Sequence, residues 1–239
     1  DGVLNNYNIL PEQYDTNLNS SSRKALYFPA GELEVADDDR LTKTESGAGV
    51  AFSISVWIKI PSDVGDTGSV RMFVRKGDWD NSHAGSRREY VCGLTSQDKP
   101  YIYLCDESSD VIRKCTADEA TRPSELYDQW NHFVFASRGL GATADLAIAR
   151  NGAAVASTTS DSASGYEAME NKSDTLKIGH SNLKAYIADV AIFTEDYAQD
   201  EDARAHLYNG GCPIDLPSDG LEATVTAWWR MGDHPLDAV

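Results

Sequence analysis

An all-β sandwich is the fold class this sequence predicts, and three observations predict it. Phe52, Ile54, Val56, Ile58 and Ile60 alternate with Ser53, Ser55, Trp57 and Lys59, the period-2 signature of a strand with one face in a core. Short runs of the same kind recur along the chain with turn residues between them. Only one stretch, about Asp200 to Tyr208, reads as a helix, with Asp200 as its cap and Gly210 as the left-handed residue that ends it. A chain of 239 residues is of a size for one such domain, and 41% hydrophobic residues suffice for a core.

In chain order, residues 1–23 are rich in Asn, Asp and Ser, with scattered apolar anchors at Leu10, Tyr14 and Leu18. They read as an N-terminal arm or linker, a segment laid on a partner. The sandwich occupies 24–230, and 231–239 form a C-terminal tail. Ala25–Phe28 and Glu32–Val35 are short strands around the Pro29-Ala30-Gly31 turn, followed by a polar loop, Ala36 to Gly49. After the Phe52 strand come strands at Val70–Lys76, Tyr90–Leu94, Tyr101–Cys105, Val111–Cys115, Trp130–Ala136 and Ala144–Arg150. Residues 157–174 form a polar excursion. Ala185–Phe193 is a long apolar strand, and Thr224–Arg230 a last one that pairs near the N-terminal strands. Trp228 and Trp229 therefore face opposite sides of the sheet. No internal repeat is visible.

The segment from Leu183 to Gly211, with its strand Ala185–Phe193, its helix and the ending Leu207-Tyr208-Asn209-Gly210-Gly211, resembles the closing segment of laminin G-like, concanavalin A-type jelly rolls. Four further pieces match in order: Phe52 to Lys59, Val74-Arg75-Lys76-Gly77, Trp130-Asn131-His132-Phe133-Val134 and Leu176-Lys177-Ile178-Gly179. Arg150-Asn151-Gly152 adds the strand-turn signal of the family. Each motif is short, and their order carries the specificity. The resemblance spans roughly Ala25 to Arg230. It implies a two-sheet antiparallel jelly-roll sandwich with one short C-terminal helix, acting as a non-catalytic lectin-like module.

Composition narrows the partners. Lys and Arg number 21 against 38 Asp and Glu, a net charge of −17 that repels phosphate backbones and anionic lipid, so neither nucleic-acid binding nor membrane insertion is expected. No run approaches the roughly 20 apolar residues of a membrane helix. Cys92, Cys105, Cys115 and Cys212 form no CxxC pair, against a zinc or redox motif. Cys92 and Cys105 flank the Ser96–Pro100 turn, which leaves two readings open: a cross-strand disulfide suited to an extracellular protein, or buried thiols suited to cytosolic assembly. Asn19 and Asn171 begin Asn-x-Ser sequons, relevant only on a eukaryotic secretory route.

The chemistry the residues offer is mostly binding. The Glu-x-Asp-x-x-Glu signature of glucanases of this fold, which places two carboxyls about 5 Å apart on one strand face, does not occur. Nor do a Gly-x-Ser-x-Gly elbow, His-Glu-x-x-His or a Walker-type loop. Gly77 to Glu89 offers Trp79 among Asp78, Asp80, Asn81 and Arg87, a ring for stacking with polar groups around it, or else a surface loop pinned by its Trp. Asp37, Asp38 and Asp39 place three hard donors in one loop. The resemblance implies Ca²⁺ where that loop meets the closing strand, with Asp37, Asp39 and Asp189 as ligands; yet Ala188 stands where the family often has an acid. Asp189 alternatively accepts hydrogen bonds from a neighbouring loop. The ending Ala227-Trp228-Trp229-Arg230-Met231-Gly232-Asp233 resembles lectin-like domains of tailed phage structural proteins. That implies a virion surface component, a capsid decoration or fibre module, docked through its arm on other virion or scaffold subunits and contacting glycans. The alternative is a secreted or cell-surface carbohydrate-binding module.

Overall fold

A computed structural model describes residues 25–45, 48–64, 68–79, 87–139, 146–216 and 219–231. The expected arm at 1–23 and most of the tail lie outside them. In chain order the strands are β1 (Leu26–Phe28), β2 (Gly31–Val35), β3 (Thr44–Glu45), β4 (Ala48–Gly49), β5 (Phe52–Lys59) and β6 (Arg71–Lys76). Then follow β7 (Tyr90–Leu94), β8 (Pro100–Asp106), β9 (Val111–Ala117), the one-turn helix α1 (Pro123–Leu126), β10 (Trp130–Ser137) and β11 (Leu146–Arg150). The chain closes with β12 (Ala153–Ala154), β13 (Ser157–Asp161), β14 (Leu176–His180), β15 (Ala185–Phe193), α2 (Glu201–Tyr208) and β16 (Val225–Trp229).

Fourteen of these strands build two seven-stranded antiparallel sheets, and β3 and β4 pair as a small third. The first runs β1-β15-β5-β10-β11-β12, with β16 also on β15; the second runs β13-β9-β8-β7-β6-β14-β2. The alternation in β5 decides which side faces in. Phe52, Ile54, Val56 and Ile58 enter one core with Phe133 and Phe135 of β10, Ile187, Val190 and Ile192 of β15, and Tyr90, Cys92, Leu94, Ile102 and Leu104 of the second sheet. Phe73 reaches across, its ring 5.6 Å from that of Phe133. Each fully buried aliphatic or aromatic side chain contributes about 1.5–3 kcal/mol.

The outer face of the first sheet is buried too. Ser55 and Trp57 lie under α2 and the segment after it, and Ser53 under the segment before it, its Oγ accepting from Tyr197 N at 2.7 Å. Asp200 caps α2, its Oδ1 accepting from Ala203 N at 3.0 Å. At its end Gly210 is left-handed as expected (φ 61°), and Asn209 takes the same conformation (φ 46°) one residue earlier. Leu207 packs with Ala191, Phe193, Ile214 and Leu216, so α2 covers a sheet face. Trp57, 2% exposed, packs in a three-ring cluster with His132 (4.9 Å) and Tyr208 (5.9 Å).

Three details depart from the sequence reading. The one-turn α1 begins at a proline, the favoured first helical residue. Residues 157–161 are not excursion but the edge strand β13, whose polar outer positions suit an edge. Cys92 opposes Ile102 and Cys105 opposes Ile112, so the two sulfurs are out of register; none of the four cysteines is in a disulfide, and three of them are buried.

Candidate functional site

Trp79 sits where β6 leaves the second sheet. Gly77 turns the chain with φ +92°, and a Cβ there would lie 1.9 Å from the carbonyl oxygen of Arg87, so only glycine lets the two sides of the loop approach. Glu89 N donates to Lys76 O at 3.0 Å and closes the loop base. The Trp79 Nε1 donates to the same carbonyl at 3.0 Å. Arg88 reaches over the ring, its guanidinium 5.8 Å from the centroid.

Arg88 is itself held. Its Nε donates to Glu107 Oε1 at 2.6 Å and its Nη2 to Asp110 Oδ1 at 2.7 Å. Burial opposes its charge, but these two carboxylates outweigh the burial and raise its pKa. Beneath the loop, the buried Lys76 Nζ lies 2.6 Å from Asp37 Oδ1 and 3.2 Å from Glu89 Oε1, and donates to Asp174 O at 2.8 Å. Burial raises the pKa of Glu89, which Lys76 and the Lys172 N–H partly offset. The outcome is a partly exposed ring fixed at its edge and flanked by charge, with Asp78 also partly exposed and Arg87 exposed beside it. Such an arrangement is chemically able to stack against an apolar ring face and to hydrogen-bond hydroxyls, and its fixed ring lowers the ordering cost of doing so.

Of the residues singled out for ligand contact, Trp79, Asp78 and Arg87 share this end of the sandwich; Asp80 and Asn81 lie outside the described residues. The sequence reading missed Glu107 and Asp110, which arrive from the β8–β9 turn, and no local spacing announces a partner some twenty residues away.

The three acids expected to hold calcium are dispersed. Asp37 is at this end on Lys76, and Asp39 accepts from Asn171 Nδ2 at 2.7 Å. Asp189 is instead on the outer face of the first sheet, where its Oδ1 accepts from Trp228 Nε1 at 3.2 Å. It occupies a bulge: Ala188 opposes Trp57 and Ala191 opposes Ser55, leaving Asp189 (φ +44°) and Val190 against one residue. The extra residue breaks the alternation, so Asp189 keeps company with Ala191 and Phe193 but not with Ile187, which points into the core. Among the described residues, no group of three or more His, Cys, Asp or Glu side chains is placed to hold a metal ion.

Two packed antiparallel sheets, a filled outer face and loops presented at the ends define a lectin-like jelly roll. A family profile described as the concanavalin A-like lectin/glucanases superfamily, of laminin G type, matches residues 34–201. The chain belongs to that superfamily. Among solved structures it is similar to the receptor binding domain of botulinum neurotoxin mosaic serotype C/D, with a TM-score of 0.57 and 13% identity over 82% of this chain and 44% of that one. It is also similar to the enzymatically active domain of tailspike protein 2 from bacteriophage CBA120, with a TM-score of 0.50 and 12% identity over 88% of this chain and 30% of that one. The chain thus spans less than half of either protein, and at such identities the likeness is one of fold. No curated protein sequence matches it.

Proposed function

We propose that this chain is a non-catalytic, lectin-like binding module of a virion surface, a capsid decoration or fibre component that contacts host glycans through its Trp79 end. The observation that carries the reading is the fixed Trp79 ring, anchored to Lys76 O and flanked by Arg88, on a face that α2 does not cover. The acids around it support binding over chemistry. Asp37, Glu89, Glu107 and Asp110 are each engaged by Lys76 or Arg88, which holds them as structural counter-ions instead of a paired general acid and base. The unbridged thiols of Cys92, Cys105, Cys115 and Cys212 favour assembly in a reducing cytosol, as for virions, over the secreted carbohydrate-binding module that is the second reading.

A glycan array tests the ligand class. Wild type is expected to give a consistent set of hits that Trp79→Ala abolishes while its melting curve is unchanged. Hits indifferent to Trp79→Ala would move the site elsewhere, and release of reducing ends from a bound polysaccharide would make the protein an enzyme. Repeating the array in EDTA tests the calcium that the family resemblance implies: hits that vanish with chelator and return with Ca²⁺ support it, and unchanged hits remove it. Finding the chain within purified particles, and not free outside cells, is the outcome the virion reading requires.

A further inference from the structure

At the opposite end of the sandwich, where Pro100 pairs with Leu94 and Leu94 with Arg71, a groove of about 420 Å³ opens between the two sheets. We propose that this groove is a second saccharide subsite, selective for sugars that carry a carboxylate. The inference rests on the glycan-binding reading above and adds a place and a ligand charge that the reading does not contain.

Size is the first support, because small-molecule sites commonly enclose about 300–1,000 Å³. The lining is the second. Pro100, Ala120, Ala153, Ala154 and Val155 supply small apolar surface without a bulky side chain, against which the CH faces of a pyranose fit. Thr121 and Glu119 add polar groups for hydroxyls.

The charge arrangement is the third and decides the ligand class. Two arginines converge on a single carboxylate: Arg150 Nη2 is 2.6 Å from Glu125 Oε2, and Arg122 Nη1 is 4.0 Å from Glu125 Oε1. Arg150 takes the close, hydrogen-bonded position. Arg122, whose side chain is 82% exposed, is left at a distance where the pair is weak, with its planar fork open to solvent. A second carboxylate, brought by a ligand, would complete the fork as Glu125 completes that of Arg150. The pull of both arginines is visible in Glu125 itself, which they hold below the ordinary carboxylate range. With Glu119 counted, the lining carries two acids and two bases, so it is locally neutral on a chain of net charge −17. An anion repelled elsewhere on the surface meets no net repulsion here.

The test uses titration calorimetry with one oligosaccharide in two forms, oligogalacturonate and its methyl ester, on wild type, Arg122→Gln and Trp79→Ala. Wild type is expected to bind the acid about tenfold more tightly than the ester, a preference Arg122→Gln loses. Acid and ester bound alike, or a preference untouched by Arg122→Gln, overturns the subsite. A glutamate-rich peptide bound as tightly as the acid, with the same dependence on Arg122, overturns the saccharide assignment. Trp79→Ala separates this inference from the one beneath it: acid selectivity that survives the substitution supports an independent groove. Neutral glycans bound only through Trp79, without acid preference, leave the lectin reading standing and remove the groove. No saccharide bound by wild type removes both.

Discussion

Acid should unfold this protein partly through one buried imidazole. His132 is 1% exposed on the outer face of the first sheet, against the rings of Trp57 (4.9 Å) and Tyr208 (6.3 Å), with Nε2 2.8 Å from Ser55 Oγ. Burial alone depresses its pKa to about 3 from 6.5. Between those values the unfolded chain binds a proton that the folded one refuses, so the contribution of His132 is fully present above pH 6.5 and is lost as pH falls towards 3. The slope is about 1.4 kcal/mol per pH unit, or roughly 2.7 kcal/mol at pH 4.5 and at most about 4–5 kcal/mol in all. Carboxylates titrate in the same window, so the measurement is a difference. Urea unfolding of wild type and His132→Phe is compared from pH 7.5 to 4. Phenylalanine keeps the stack and leaves Ser55 without its ring partner, at a pH-independent cost of about 1–2 kcal/mol. The stability advantage of wild type should shrink by about 1.4 kcal/mol per unit below pH 6.5. Parallel curves, or a His132 NMR titration near pH 6, would refute the reasoning.

Lys43, 3% exposed, donates to Arg40 O at 2.7 Å and Thr226 Oγ1 at 3.0 Å, and burial lowers its pKa to about 8 against the pull of Asp38. Because the unfolded chain keeps that proton up to about pH 10.5, wild type should gain stability between pH 8 and 10.5, by up to about 3 kcal/mol; Lys43→Met should lack the rise. Thiol titration should find at most the half-buried Cys212 reactive in the native state and all four cysteines in urea, since Cys92, Cys105 and Cys115 are buried and burial pushes the Cys105 thiol up to about 12. Gly93→Ala would set a Cβ 2.0 Å from Arg71 O and 2.9 Å from Met72 Cα, both backbone, and should cost on the order of 2–4 kcal/mol by denaturant unfolding with the fold otherwise kept.

The core was legible because β5 and β15 write their burial in local periodicity. Where the pattern breaks, the reading broke with it: the Asp189 bulge shifts the phase of β15, and nothing in Ile187-Ala188-Asp189-Val190 marks an inserted residue. The polar strand β13 escaped because this edge only half-buries alternate residues, and Ser-Thr-Thr-Ser-Asp looks the same in a loop. At the candidate site, Trp79 and Arg87 were readable as a loop mixture. The ion pairs that fix the loop were not, since Arg88–Glu107 and Lys76–Asp37 join strands through tertiary pairing. The groove at Arg122 was unreadable for the same reason: its walls come from both sheets.

Both β1 and β16 lie along one side of β15, with Leu26 opposite Ile187 and Trp229 opposite Val190. They run in the same direction and nearly in line, so the described chain enters and leaves the sandwich at neighbouring points on a single seam. Tension between segments flanking the sandwich would therefore be borne by the few ladder bonds of that seam and not by the hydrophobic interior. Joining the two points by a short linker, and opening the chain at the Asn151-Gly152 turn, should yield a permuted sandwich with its layers intact.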